Sequence, residues 1–325
     1  MEIRPELMAL RADDSRQRRT QQRLVAQSAA WRHAGPGAAI EAELPNFARG
    51  IRLDRVPALS ALFTPGSSAA AELVETVVNW LLIELSTDPL SQVPFRHQCD
   101  RSIATLQLAR CHGASLALQA VDCAGLARKA PPVSVSFAAN DTWDHVLAGA
   151  AEVEQVRIVG QGKGGAVLER QRASIAAGTL ASRCGQRHSQ LLLRVPGVLV
   201  TLKLQRSDRS GAPTREYALD DGRLLRQAAG DLRDSRLELT AALLGRMGRT
   251  DAAPLLAAMA GEPGSGHLRW QALRECLGLD SAVGFGVLSE IACRKGDPLG
   301  APAEALRVQL LAAHPQLAAF VRCRT

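Results

Sequence analysis

The chain has 325 residues, of which 46% are hydrophobic and 22% are charged, and its formal net charge is +7. This composition leaves room for two hydrophobic cores and argues against wholesale disorder. No apolar run approaches the roughly 18–20 residues that span a bilayer, and the N-terminal segment mixes acids with bases and has no apolar stretch. We therefore expect no membrane association, no secretory signal and a cytoplasmic location. The excess of Arg over Lys and the many Ala residues are typical of high-GC bacterial genomes.

Residues 1–90 predict helices and irregular segments that pack on a larger body. A helix is expected over 14–30, and the four prolines between 36 and 66 predict irregular or short extended structure. A Ser-Ser pair at 67–68 then opens a strong helix with one apolar stripe, which ends at the Asp-Pro pair at 88–89.

Residues 91–225 alternate apolar and polar side chains, which predicts a β-rich domain of seven or eight short strands. The glycine-rich segment 160–165 is expected to be a hairpin, because a strand and not a helix follows it. Pro196-Gly197 predicts a tight turn that joins the last two strands as a hairpin. Short strands with frequent turns favour an antiparallel sandwich or an open barrel. The clearest strands are predicted over 103–110, 114–121, 133–137, 155–159, 166–168, 190–195 and 198–206.

Residues 226–325 have a different period, with apolar residues recurring every three or four positions, which predicts five or six short helices. Ser235-x-x-Glu238 has the spacing of a capping box, and Asp280 is the expected cap of a later helix. The chain is therefore expected to be an α+β protein with N-terminal helices, a central antiparallel body and an all-helical tail. The connection near 222–232 is expected to be exposed.

Charge is distributed unevenly along the chain. Residues 56–156 carry a net charge of −5, whereas residues 157–215 hold eleven bases and two acids, a net charge of +9. Either the two segments neutralise each other within one domain, or the second forms a basic surface that binds an anionic partner. Lys203 lies opposite the apolar positions of its strand and is expected to face solvent, and Arg187 and Arg194 complete the candidate surface. Few aromatic residues accompany these bases, so we expect an acidic peptide or protein and no nucleic acid.

The tail contains the segment HLRWQALRECLGLDSAVGFGVLSEIA at 267–292. An Arg–Ala–Leu stripe in its first half and an Asp that starts its second half resemble a HEAT-type helical repeat. The resemblance covers roughly 75 residues and implies a surface for binding proteins. Arg269 and Trp270 are the candidate anchors of such a surface, although Trp270 also fits the interior of the helical tail.

The β-rich region resembles the cupin superfamily in its short strands, its glycine turns and the closing segment Val195-Pro196-Gly197. Cupins that bind metal use an HxH motif, a Glu and a later His, and this sequence has no HxH. The resemblance implies that His188 could be the late ligand and that His97 or His145 could be earlier ligands of iron or zinc. A separate possibility is a zinc site made by His97-x-Cys99 with Cys111 and its neighbouring histidine.

These observations leave two functions open. The favoured one is a non-catalytic accessory protein that binds a protein or peptide through a basic β surface and a helical tail. The alternative is a cupin-like metal-dependent enzyme of the oxygenase type. The sequence lacks GxSxG, HExxH and DxD motifs, and this absence of a recognisable catalytic set favours binding.

Overall fold

The computed structural model describes residues 5–162, 164–207 and 212–320. The described residues divide into two compact units. The first contains 5–207 and Glu216–Leu225, and the second contains 212–215 and 226–320. The protein is mixed helix and sheet with antiparallel strand pairing, as the sequence predicts.

Five N-terminal helices belong to the first unit: α1 (Pro5–Ala12), α2 (Ser15–His33), α3 (Pro36–Ala48), α4 (Pro57–Ala61) and α5 (Ala69–Thr87). The helices predicted near 14–30 and 67–88 are confirmed. The irregular structure predicted for 36–66 is wrong, because Pro36 and Pro57 occupy the first turns of α3 and α4. A proline costs little there, since the missing N–H has no partner within the helix.

Twelve strands follow in the described part of the chain, more than the sequence predicts. They form three sheets, in the orders β1-β2-β3-β10-β5-β8, β7-β6-β9 and β12-β11-β4. Gly113, with a φ of 93°, makes the tight turn between β2 and β3. The strands are β1 (Arg96–Cys99), β2 (Ile103–Cys111), β3 (Ala114–Asp122), β4 (Ser134–Phe137), β5 (Asn140–Ala148), β6 (Ala150–Gly162), β7 (Gly165–Ala176), β8 (Leu180–Cys184), β9 (His188–Arg194), β10 (Val198–Ser207), β11 (Thr214–Ala218) and β12 (Leu224–Ala228), with a short helix α6 (Cys123–Ala127) after β3.

The connection at Pro196-Gly197 is not the hairpin that the sequence predicts. The strand before it, β9, pairs with β6, whereas the strand after it, β10, pairs with β3 and β5. The chain therefore passes from one sheet to another at this point. Val195 and Leu199, on either side of the turn, are buried in the same apolar cluster. Burial of both side chains between the sheets accounts for the crossing.

The six-stranded sheet has two buried faces. Its outer face packs on the N-terminal helices, where Leu202 and Leu204 of β10 join a cluster with Leu24 and Phe47. Its inner face packs on the β7-β6-β9 sheet, with Leu199 among the buried contacts. Because side chains alternate along a strand, Lys203 lies on the inner face and its side chain is only 24% exposed. The expectation of a solvent-facing Lys203 is wrong, because the apolar side of β10 contacts helices.

The described residues of the second unit form five α-helices around one apolar core: α7 (Leu232–Arg246), α8 (Ala253–Gly261), α9 (Gly266–Leu279), α10 (Ser281–Cys293) and α11 (Gly300–Ala313). Asp280 caps α10 as predicted, accepting hydrogen bonds of 3.0 Å from two backbone amides. The predicted capping box at Ser235 is wrong, because α7 begins earlier. Asp231 caps this helix and accepts a hydrogen bond of 2.8 Å from the Arg233 amide. No helix in the described part of the chain combines the length and apolarity needed to cross a bilayer.

Candidate functional site

A cavity of about 160 Å³ with both polar and apolar lining residues lies on the inner face of the six-stranded sheet. Lys203 of β10 is directly opposite Asp144 of β5, and β8 pairs with the other edge of β5. Gln190 reaches the cavity from β9, in the facing sheet. The cavity is therefore assembled from strands that are far apart in sequence. Val121, Val146 and Leu199, which belong to one apolar cluster, also line it.

Three charged side chains meet in this cavity. An oxygen of Asp144 lies 3.1 Å from the Lys203 ammonium, and the other oxygen of the same carboxylate accepts a short hydrogen bond from Arg183. A second nitrogen of the Arg183 guanidinium donates to Gln190 at 2.7 Å. The side chains of Asp144 and Arg183 are 10% and 16% exposed. We call these four residues the interior cluster.

The interior cluster has one more positive charge than negative. The cavity lining has no ionisable residue besides Asp144, Arg183 and Lys203. The Asp144 oxygen beside Lys203 is buried. It lies within ion-pair distance of the Lys203 ammonium, but the contact does not have the geometry of a hydrogen bond. Because a buried charge is costly unless it is compensated, such a site favours an additional anion.

The cavity also offers neutral hydrogen-bonding groups. Gln119 and Thr201 are direct cross-strand partners, and both line the cavity. Its volume is close to that of an engineered protein cavity, about 150 Å³, that accommodates benzene. The space and the donors are therefore suited to a small organic molecule with one anionic group.

The structure does not bring together the three histidines predicted as metal ligands. His145 is adjacent to Asp144 on β5, so its side chain points to the outer face of the sheet, where its Nδ1 lies 2.8 Å from the Leu62 carbonyl oxygen. His97 is on the edge strand β1, with Nδ1 3.0 Å from the Phe95 carbonyl oxygen. His188 is on β9, in another sheet. Across 5–162, 164–207 and 212–320, no group of three or more His, Cys, Asp or Glu side chains is placed to hold a metal ion. The Cys–His combination around Cys111 is likewise not assembled.

Among the described bases of the positive segment 157–215, five form ion pairs with acids of the negative segment 56–156, and Arg157 pairs with Glu169 of its own segment. This arrangement is the neutralisation within one domain that the charge pattern left open. Two of the acids, Asp144 and Glu154, are buried. The pairs that join the two segments are Arg170–Glu154, Arg183–Asp144, Arg194–Glu152, Lys203–Asp144 and Arg206–Asp141.

The predicted partner-binding residues have different surroundings. Arg187 is exposed, and the exposed Arg194 lies 3.3 Å from Glu152. The prediction that Arg269 anchors a binding surface is wrong. Its side chain is 7% exposed and makes two hydrogen bonds to Asp297, at 3.0 and 2.6 Å. Trp270 is half-buried against the helical core. Arg269 therefore cannot anchor a partner without leaving its own helical unit.

Sequence reasoning missed Asp144, Arg183 and Gln190. The segment Asn140–Ala148 carries both charged and aromatic residues and was not recognised as a strand. A signal was present, since Thr142, Asp144 and Val146 occupy alternate positions, as the inward residues of one strand would. Two bases and one acid at inward positions of neighbouring strands would have indicated a polar interior. Pairing between distant strands had to be known first.

Comparisons with known proteins identify no family. No family model matches the chain, and no curated protein matches it. Among solved structures, ectoine synthase from P. lautus is 10% identical with a TM-score of 0.24, and the match covers 34% of this chain and 69% of that one.

Two further structures give similar values. Vicilin from Solanum melongena is 10% identical with a TM-score of 0.27, over 38% of this chain and 32% of that one. KdgF from Halomonas sp. is 17% identical with a TM-score of 0.24, over 35% of this chain and 88% of that one. Ectoine synthase and vicilin are cupin-fold proteins. At such TM-scores these likenesses assign no function to the chain.

Proposed function

We propose that the first unit is a cupin-like binding domain for a small organic anion, and that the protein acts as a non-catalytic binding protein. The observation that carries this proposal is the charge of the interior cluster: two cations and one carboxylate around a partly open cavity of about 160 Å³. A ligand carboxylate would bring the net charge of the cavity to zero.

The contacts within the interior cluster do not use all of its N–H donors. A Lys ammonium has three N–H donors and a guanidinium has five. Lys203 contacts one carboxylate oxygen, and Arg183 uses donors for Asp144 and Gln190. A bound carboxylate would accept from the remaining N–H groups, and these charge-assisted bonds are stronger than neutral ones. Asp144 and Gln190 would hold the guanidinium in position before the ligand arrives.

The other functions depend on different residues. Binding of a protein or acidic peptide, proposed from the sequence, now relies on the exposed Arg187 and Arg194 and on the helical unit. A metal-dependent enzyme with iron or zinc would need His97, His145 and His188 to converge. The chemistry available in the interior cluster is that of anion recognition.

Calorimetric titration with small carboxylates tests the proposal. Acetate, lactate and benzoate are compared with acetamide, lactamide and benzamide, which have similar shapes but no charge. We expect at least one acid to bind and its amide to bind much more weakly. Saturation should also raise the melting temperature, because a ligand at 100 times its Kd adds about 2.7 kcal/mol to stability.

Lys203→Met is the decisive variant, because it leaves the Arg183–Asp144 pair intact and removes the positive surplus. Loss of a charged hydrogen bond costs about 1.5–3 kcal/mol, so the Kd should rise roughly 10- to 150-fold. Arg194→Met, which removes an exposed base of the same unit, should bind like the parent protein. Carboxylate binding that Lys203→Met leaves unchanged would refute the proposal, as would failure of every acid to bind at millimolar concentration.

A further inference from the structure

A second polar concavity lies at the end of the six-stranded sheet where β2 turns into β3. It has a volume of about 750 Å³, within the range of small-molecule sites. We call it the turn groove. The polar residues that line it include Arg96, Gln107, Arg110, His112, Asn140 and Gln205.

A β-bulge places the two arginines on the same face of the sheet. Arg96 is directly opposite Gln107, and Arg110 is opposite Ser115. In a regular strand, residues 107 and 110 would point to opposite faces. The register shifts between Gln107 and Ala109, and this extra residue brings Arg110 to the face of Gln107. Bulges that redirect a side chain in this way are common beside functional sites.

The turn groove contains no carboxylate to neutralise these arginines. Neither Arg96 nor Arg110 has an acidic partner within ion-pair distance among the residues described. Burial raises the pKa of the Cys111 thiol in the groove, and the negative charge of Glu41 adds to this effect. Glu41 does not line the groove. The nearby Arg206 is already paired with Asp141, at 2.9 Å.

We propose that the turn groove binds the phosphate monoester of a small polyhydroxylated molecule. Two guanidinium groups can neutralise a phosphate dianion, and their planar donors match its oxygens in a bidentate way. Amide groups of Gln107, Asn140 and Gln205 would serve as donors and acceptors for the hydroxyl groups of the ligand. The groove has about five times the volume of the interior cavity, so the ligand can be larger.

This site does not depend on the interior cluster. Gln205 of the groove and Lys203 of the cluster are on the same face of β10, two positions apart, but no residue lines both cavities. Either site can therefore bind a ligand if the other does not. Lys203→Met should affect only the interior site, whereas changes at Arg96 or Arg110 should affect only the turn groove.

Calorimetric titration of the full chain with inorganic phosphate, glycerol 3-phosphate and glycerol tests the proposal. We expect glycerol 3-phosphate to bind more tightly than phosphate, and glycerol not to bind. Arg96→Gln and Arg110→Gln should each weaken glycerol 3-phosphate binding by at least tenfold. The double variant should abolish binding.

The matched control is Arg172→Gln, because Arg172 is an exposed base of β7, in another sheet. This variant and Lys203→Met should keep the parent affinity for glycerol 3-phosphate. Arg96 and Arg110 are exposed, so their variants should keep the parent melting temperature. Failure of glycerol 3-phosphate to bind at 10 mM would overturn the proposal, as would an equal loss in Arg172→Gln. Tighter binding of succinate than of glycerol 3-phosphate would overturn the assignment of a phosphate monoester as the ligand.

Discussion

Replacement of Arg269 by Met should destabilise the helical unit more than any surface change in it. The guanidinium makes two hydrogen bonds to Asp297, at 3.0 and 2.6 Å, and a third to the Ala260 carbonyl oxygen at 3.0 Å. The side chains of Arg269 and Asp297 are 7% and 2% exposed. The Met variant leaves the carboxylate buried with the Leu299 backbone amide, which donates to it at 3.0 Å, and with one weaker charged partner, Arg294, at 3.4 Å.

The cost can be estimated from these contacts. Breaking a buried ion pair by removal of one partner costs about 3–5 kcal/mol. For a domain of 60–100 residues, each 1 kcal/mol lowers the melting temperature by about 4–8 °C, so the helical unit should melt roughly 12–40 °C lower. Since domains are stable by only about 5–15 kcal/mol, the variant unit would lose between about a fifth and all of its stability at room temperature.

Urea unfolding followed by circular dichroism at 222 nm measures this loss. Arg294→Met is the matched control, because Arg294 contacts the same carboxylate but is 44% exposed, and exposed pairs contribute about 0–1 kcal/mol. Arg269→Met combined with Asp297→Leu should recover part of the loss, since an apolar pair leaves no buried charge. Equal destabilisation by Arg269→Met and Arg294→Met would refute the reasoning.

Acid provides an independent check of the same pair. The hydrogen bonds from Arg269 hold the pKa of Asp297 below its ordinary value of 3.8. A lowered folded-state pKa contributes stability above the unfolded value, and this contribution disappears as the pH falls through the folded-state pKa. The parent protein should therefore lose helical stability in acid more steeply than Arg269→Met. Matching acid profiles would contradict the assigned role.

Three further predictions concern the first unit. Gly149→Ala should destabilise it by about 1–3 kcal/mol in urea, because Gly149 has a φ of 82° and an added Cβ would overlap the Val198 carbonyl oxygen. The pKa of Asp100 is lowered chiefly by hydrogen bonds from two backbone amides and a hydroxyl. Carboxyl NMR should therefore show Asp100 titrating well below 3.8, so that its contribution to stability is lost only in strong acid. Titration at the ordinary pKa would contradict these hydrogen bonds. Lys203→Glu should cost about 3 kcal/mol or more, whereas Arg187→Glu should stay within about 0.5 kcal/mol, and equal melting temperatures would refute the burial of Lys203.

Local features of the fold were predictable because their causes are local. The helix near 14–30, the stripe of α5, the strands β2, β3 and β10 and the cap at Asp280 each follow from residues close in sequence. The prolines of 36–66 were misinterpreted because proline both interrupts a helix and starts one. The choice depends on whether the residues after the proline have a core to contact. For α3 that core is the outer face of the six-stranded sheet, where Phe47 is buried.

The candidate site was less predictable because it depends on which face of each strand is buried, and against what. The sequence shows plainly that apolar and polar residues alternate along β10. The apolar face, however, could pack equally well on a second sheet or on a layer of helices. The helices on the outer face decide the question, and they place Lys203 inside. The partner of Lys203, Asp144, is about sixty positions away. No local pattern reports that pairing.

The positive charge of 157–215 therefore has a different meaning from the one its density suggests. A base on an exposed surface keeps its charge available to a partner, whereas a base paired within its own unit contributes little to the field outside. Most of these bases are paired, and Arg183 and Lys203 share one carboxylate inside the body. One uncompensated positive charge lies in the interior cluster, exposed bases such as Arg187 remain on the surface, and a separate pair of arginines without an acidic partner lies at the turn groove. Cavities that concentrate positive charge and limit access select small anions over proteins, which is why we place recognition there and not on a basic surface.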